Sequence, residues 1–166
     1  MTSDAETDIA SRRIELTRTL DAPRERVFEA WTDPAQIGLW WGPRGFTTTT
    51  KEMDVRPGGV WRFVMHGPDG TDYGDVVRYE EVVEPERLVY VHASDDDHEP
   101  QRFHVRVTFD DLEGRTRLTM RLLFDTAEQR DKVVQSGAIE GGNQTIDRLV
   151  EHLARTEPAG SAKPRA

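Results

Sequence analysis

The chain has 166 residues, with 22 Lys and Arg against 31 Asp and Glu, a formal net charge of -9. This length suits one domain, and the acidic balance argues against a nucleic-acid backbone as partner, because phosphate binding needs clustered basic side chains. The sequence contains no cysteine, which excludes disulfides, thiolate metal sites and cysteine nucleophiles. Neither a signal peptide nor an apolar run long enough to span a membrane is evident, so we expect a cytoplasmic protein.

One folded domain, residues 12–155, is predicted between two polar tails, residues 1–11 and 156–166. The tails carry too little apolar surface to fold, so we expect them to be disordered. The domain begins with a strand, because Ile14 and Leu16 alternate with polar neighbours, the period of a strand with one buried face.

Two short helices are predicted after this strand. Asp21 is a candidate N-cap for the first, with Pro23 in its opening turn. Apolar residues then recur at helical spacing as far as residue 32. Asp33-Pro34 starts a second helix, which ends at Trp40.

Between residues 46 and 124 short runs alternate apolar with polar side chains. Turn residues separate these runs at Pro57-Gly58-Gly59, Pro68-Asp69-Gly70 and Glu113-Gly114. Consecutive hairpins predict an antiparallel sheet of about six or seven strands with one apolar face.

The last predicted element is a helix over residues 126–155, bent near Gly137. Its apolar positions form one stripe, made of Ile139, Ile146, Leu149, Val150 and Leu153. A helix of this length reaches across the whole sheet. The sequence therefore predicts an α+β domain with its helices on one face of an antiparallel sheet.

Gly142 interrupts the apolar stripe of this helix and follows another glycine, Gly141. A glycine inside a helix costs about 1 kcal/mol relative to alanine, so it needs a reason. Either the helix backbone approaches the sheet closely here, or a cavity remains above the aromatic side chains of the sheet. Aromatic and apolar side chains are typical linings of small-molecule sites.

Few side chains suggest chemistry, and no catalytic residue, metal or cofactor is assigned. His92 shares the apolar phase of its strand with Tyr90, so it is either a neutral core histidine or a polar contact for a ligand. The run Asp95-Asp96-Asp97 between His92 and His98 is typical of a solvated acidic loop rather than a metal site.

Several blocks of this sequence resemble one protein family. The stretch from Arg18 to Pro34 resembles the opening block of the activator of heat-shock protein 90 ATPase homologue-like family. Further blocks are similar in the same order: Trp40-Trp41-Gly42-Pro43 with Phe46, Asp54-x-Arg56-Pro57-Gly58-Gly59-x-Trp61-x-Phe63, Pro85-Glu86-Arg87-Leu88, and Thr145-Ile146-Asp147-Arg148-Leu149. One departure is Gly142, where family members often carry Trp or Met.

This family belongs to the START-like (SRPBCC) superfamily. The resemblance implies the helix-grip fold, in which a curved antiparallel sheet surrounds a long C-terminal helix and a hydrophobic cavity lies between them. The expected cavity residues are Trp40, Trp41, Phe46, Trp61, Phe63, Met65, Val77, Tyr79, Tyr90, His92, Val105, Met120, Gly142 and Ile146.

Three functions remain open. The first is a carrier or sensor that binds a small apolar molecule, with Gly142 providing room. The second is an enzyme, since some START-like relatives are cyclases, aromatases or hydrolases; His92 with Tyr79 or Glu81 would then act as acid or base. The third, implied by the family name alone, is a chaperone partner. Fold does not by itself establish function, and the sequence leaves homodimerisation open.

Overall fold

The computed structural model describes residues 9–94 and 102–155. In chain order the elements are β1 (Arg13–Leu20), α1 (Arg24–Thr32), α2 (Pro34–Trp40), β2 (Thr47–Met53), β3 (Val60–His66), β4 (Asp72–Val83), β5 (Arg87–Ser94), β6 (Arg102–Leu112), β7 (Arg115–Leu123), α3 (Ala127–Gln135) and α4 (Ala138–Arg155). Most of both predicted tails, and the acidic run with His98, lie outside the described residues.

The seven strands form one antiparallel sheet in the order β1-β7-β6-β5-β4-β3-β2. The helices α1 and α2 carry the chain from the β1 edge to the β2 edge, and each later strand pairs with the one before it. The apolar side chains predicted from the alternation lie on the face that α4 covers, where Leu88, Val107 and Leu118 are fully buried. The predicted α+β helix-grip architecture is confirmed.

The predicted bend in the last helix is confirmed as a break between α3 and α4. Gly137 lies at this break with φ of +92°, a conformation that suits glycine because it lacks a Cβ. The 18 residues of α4 span about 27 Å at 1.5 Å per residue, enough to cross the sheet.

The buried stripe of α4 differs from the predicted one at two positions. Ile146, Leu149 and Leu153 are buried, whereas Ile139 and Val150 are 41% and 40% exposed. Each of these two follows a residue that faces the sheet, and one residue rotates a helix by about 100°.

The N-cap prediction for α1 was wrong. Pro23 occupies the N-cap position and makes no side-chain capping bond. Asp21 lies two residues earlier and is exposed, so its carboxylate does not cap the helix. By contrast, Asp33 does cap α2, because its Oδ1 accepts a hydrogen bond from the backbone N–H of Ala35 at 2.9 Å.

Candidate ligand cavity

A cavity of about 700 Å³ lies between the sheet and the N-terminal half of α4. Its floor includes Tyr90, Val105 and Leu122, which the strand register places side by side on β5, β6 and β7. Its roof includes Ala138, Gly141 and Gly142, the sheet-facing positions of the first turns of α4. The cavity exists because these three roof residues are small, whereas the larger Leu149 and Leu153 fill the space farther along the helix.

Both explanations that the sequence left open for Gly142 apply, the close approach of helix to sheet and the cavity. A Cβ built on Gly142 would lie 2.6 Å from Cδ1 of Leu16 on β1, so helix and sheet approach closely at this residue. Gly142 nevertheless lines the cavity. A Cβ built on Gly141 would only touch Cγ of Pro43, at 3.4 Å.

The segment 41–46, between α2 and β2, forms one side wall of the cavity. Arg148 of α4 fastens it, because Nη1 donates to the backbone oxygens of Gly42 at 2.8 Å and Phe46 at 3.0 Å. A second link joins Arg44 to Glu151, with Nη2 and Oε2 2.5 Å apart. These contacts hold Trp41 and Phe46 against the cavity.

Aromatic rings pack edge to face behind this wall. The ring of Trp41 lies 5.1 Å from that of Trp61 and 6.0 Å from that of Trp31, measured between centroids. Trp61 in turn stacks on Phe63 at 3.9 Å. Such pairs stabilise by about 0.5–1.5 kcal/mol beyond their buried area, so they favour this packing of the wall.

The structure brings many of the expected cavity residues to the cavity surface. Those that line it are Trp41, Phe46, Met65, Tyr90, His92, Val105, Met120, Gly142 and Ile146. Five others lie outside its lining and are buried in the core: Trp40, Trp61, Phe63, Val77 and Tyr79. Trp40 packs in the helical layer, where its Nε1 donates to the backbone oxygen of Ala30. Trp61 and Phe63 lie behind Trp41.

Several lining residues were not anticipated from the sequence. They are Trp31, Gly42, Pro43, Arg44, Phe103, Leu122, Ser136, Gly137, Ala138, Glu140, Gly141, Gln144 and Thr145. Phe103 and Leu122 share the strand phase of Val105 and Met120, so alternation contained a signal for them. The sequence of residues 136–138 contained no such signal, because these residues face the sheet only as a result of the break before α4.

Two polar side chains lie within the aromatic part of the cavity, Tyr90 and His92. Burial raises the pKa of the Tyr90 phenol, against a smaller lowering by a hydrogen bond with Trp31, so Tyr90 is neutral at physiological pH. His92 lies beside Asp75, with Nε2 and Oδ1 3.4 Å apart. Asp75 does not itself line the cavity.

Glu81 is not a partner for His92, contrary to the enzyme hypothesis. A β-bulge between Tyr79 and Glu81 inserts one residue into β4, so Tyr79 pairs with Tyr90 whereas Glu81 pairs with Val89. The side chain of Glu81 therefore points to the outer face, where Oε1 accepts a hydrogen bond from Nε of Arg87 at 3.0 Å. Tyr79 is buried outside the lining, and burial raises its pKa.

Within residues 9–94 and 102–155, no helix is long and apolar enough to cross a membrane. In the same ranges, no three His, Asp or Glu side chains are grouped so that they could hold a metal ion.

Comparison with known proteins agrees with this architecture. None of the curated proteins compared with the chain matches it. Among solved structures, a protein from Arthrobacter aurescens is similar at 27% identity and a TM-score of 0.83, over 96% of this chain and 95% of that one. A protein from Mycobacterium smegmatis is similar at 30% identity and a TM-score of 0.82, over 90% and 96%.

A third similar structure is the AHSA1 protein from Silicibacter pomeroyi, at 22% identity and a TM-score of 0.71, over 86% of this chain and 97% of that one. At this identity the likeness shows the fold alone. Residues 21–154 match the family model described as Activator of Hsp90 ATPase homolog 1-like protein. The chain therefore belongs to this family, as its sequence blocks predicted.

Proposed function

We propose that this protein binds one small apolar molecule in the cavity under α4 and acts as a carrier or sensor. The observation that carries the proposal is the cavity itself, about 700 Å³ and walled mainly by aromatic and aliphatic side chains. Ligand pockets usually measure about 300–1,000 Å³ and have this kind of lining, with few polar groups. Membership of a helix-grip family fits the same role.

The alternatives have weaker support. The enzyme hypothesis loses Glu81 and Tyr79 as companions of His92, since neither lines the cavity. The chaperone-partner hypothesis rests on the family description alone. A cytoplasmic location, supported by the absence of cysteine, stays a prediction.

The test is a titration with the neutral fluorescent probe N-phenyl-1-naphthylamine. We expect saturable binding at one site in the wild type, and binding at least tenfold weaker in Ala138→Trp, whose indole would occupy the cavity. Ile139→Trp is the matched control, because Ile139 is the next residue of α4 and lies outside the cavity lining. Gly142→Trp is a poorer block, since a side chain there meets Leu16 first.

Equal probe binding by the wild type, Ala138→Trp and Ile139→Trp would mean that the probe binds outside the cavity, and it would reject the proposal. Native mass spectrometry of freshly purified protein adds an independent readout. A discrete extra mass that disappears on denaturation, and that Ala138→Trp lacks, would begin to identify the natural ligand.

A further inference from the structure

The polar side chains at the mouth of the cavity are already engaged by the protein. Arg44 pairs with Glu151, and Nε2 of Gln144 donates to Oε1 of Glu140 at 3.5 Å. The hydroxyls of Thr145 and Ser136 donate to backbone oxygens of their own helices, at 3.0 Å and 2.6 Å. A ligand would gain little from groups whose hydrogen bonds it must first replace. Recognition of a polar group on the ligand therefore depends on the deeper part of the cavity.

His92 is the side chain there whose ring is fixed but whose hydrogen bonding is incomplete. Its ring stacks on Phe103 at 4.9 Å and meets the edge of Phe63 at 5.8 Å. Its Nε2 lies 3.4 Å from Oδ1 of Asp75. Its Nδ1 makes no hydrogen bond within the described part of the chain, and the His92 side chain lines the cavity.

The nearby carboxylate decides which ring nitrogen carries the proton. A neutral imidazole has one N–H donor and one acceptor nitrogen. The negative charge of Asp75 favours the proton on Nε2, the nitrogen nearer to it, which leaves Nδ1 as an acceptor. We propose that Nδ1 of His92 accepts a hydrogen bond from a hydroxyl or N–H group of an otherwise apolar ligand, with Asp75 as the positioning residue.

The charges around the cavity disfavour an anionic ligand, and its mainly apolar lining makes the burial of any charged group costly. The one basic side chain in the described lining is Arg44, and its guanidinium is paired with Glu151. An anionic ligand would approach the carboxylate of Asp75 without a free cation to offset the repulsion. The ligand class is therefore a neutral apolar molecule that carries a hydrogen-bond donor, and this inference rests on the proposed cavity function.

The experiment compares three naphthalenes as competitors of N-phenyl-1-naphthylamine at pH 7.5. The compounds are 2-naphthol, which has a donor, 2-methylnaphthalene, which has the same shape without one, and 2-methoxynaphthalene, which keeps the oxygen but lacks the O–H. We expect 2-naphthol to bind about three- to tenfold more tightly than both others, the effect of one net hydrogen bond.

Two variants localise this preference. His92→Phe keeps a ring between Phe103 and Phe63, so it should retain 2-methylnaphthalene binding and lose the preference for 2-naphthol. Asp75→Asn should reduce the preference without removing the probe site. Nitrogen-15 NMR of the imidazole rings gives a readout that a merely structural role would not move: we expect the Nε2–H tautomer of His92 in the wild type, and a shift toward Nδ1–H in Asp75→Asn.

The outcomes separate the two proposals. Equal affinities for the three compounds, or a preference that survives in His92→Phe, would overturn the role of His92 and leave cavity binding intact. An Nδ1–H tautomer in the wild type would also overturn it. Probe binding that Ala138→Trp does not weaken would instead reject the cavity function on which this inference depends.

Discussion

Individual residues on α4 decide where the space under the helix is open and where it is closed. Ala138 and Gly141 leave room for the cavity, and Gly142 lets the backbone come within contact of Leu16. Two neighbouring glycines in one helix therefore have different surroundings. Alanine substitution can distinguish them, because both changes bring the same gain in helix propensity.

We predict that Gly141→Ala stabilises the protein by about 0.5–1 kcal/mol, because its new methyl would only touch Pro43. Gly142→Ala should gain less or lose stability, because its methyl would lie 2.6 Å from Cδ1 of Leu16 and force that side chain to move. Urea unfolding measures both changes. Equal gains would mean that Leu16 moves aside at no cost.

The buried side chain of His152 on α4 should make the stability of the protein depend on pH. It is 1% exposed, and its Nε2 lies 2.9 Å from Oε1 of Gln36. Burial, reinforced by the positive charges of Arg155 and Arg26, lowers the pKa of His152 below its usual value. The imidazole of His152 therefore binds a proton less readily in the folded protein than in the unfolded chain.

The contribution of His152 to stability should depend on pH in one direction. It is fully present above about pH 6.5, where histidine in the unfolded chain is neutral, and is lost as pH falls toward the lowered folded pKa. We predict that the melting temperature of wild type falls more between pH 7.5 and 5 than that of His152→Gln. Parallel pH profiles would contradict the lowered pKa.

At the scale of elements, the segment 41–46 and α4 hold each other in place. Arg148 donates to backbone oxygens near both ends of this segment, whereas the Arg44–Glu151 pair lies at the surface. Charged hydrogen bonds to groups that would otherwise be unpaired matter more than exposed ion pairs. The cavity wall therefore depends mainly on Arg148.

We predict that Arg148→Met destabilises the protein by about 1–2 kcal/mol and weakens probe binding, because the segment carrying Trp41 and Phe46 loses its attachment. Arg148→Lys should recover only part of the loss, since an ammonium group lacks the planar fork of arginine. Glu151→Gln, the control, should cost less. Denaturant unfolding and probe titration measure the two effects, and equal losses in Arg148→Met and Glu151→Gln would contradict this assignment.

At the scale of the whole molecule, the cavity is a cost that a ligand can offset. Unfilled space under a helix forfeits contacts that a packed core would make. A molecule that binds only the folded state stabilises it by about 2.7 kcal/mol at a concentration of 100 Kd. The wild-type protein should therefore gain stability when its cavity is occupied.

We predict that saturating 2-naphthol raises the melting temperature of the wild type by several degrees. Ala138→Trp, in which the cavity is filled by its own side chain, should show a much smaller rise, and Ile139→Trp should match the wild type. Differential scanning calorimetry measures the shifts. A rise of the same size in Ala138→Trp would show that stabilisation comes from another site.

Much of the fold could be predicted because its signals are local. The alternation around Val105 and Leu118 predicted strands, and Gly137 predicted the break before α4. Local rules also caused the errors: Ile139 and Val150 were assigned to the buried stripe on apolar character, although their rotation about the helix exposes them. The bulge that turns Glu81 outward has no marker in a single sequence.

The sequence by itself determined the fold and the family, because periods of two and 3.6 residues, turn residues and the ordered blocks of motifs are all read along the chain. It also indicated the rings that surround the cavity. Only the tertiary structure decided which rings line it. Asp75 meets His92, 17 positions away in the chain, because the register of β4 and β5 places Val77 opposite His92 and Asp75 opposite Ser94 on the same face. Register depends on the packing of the whole sheet, so no local pattern contains this pair.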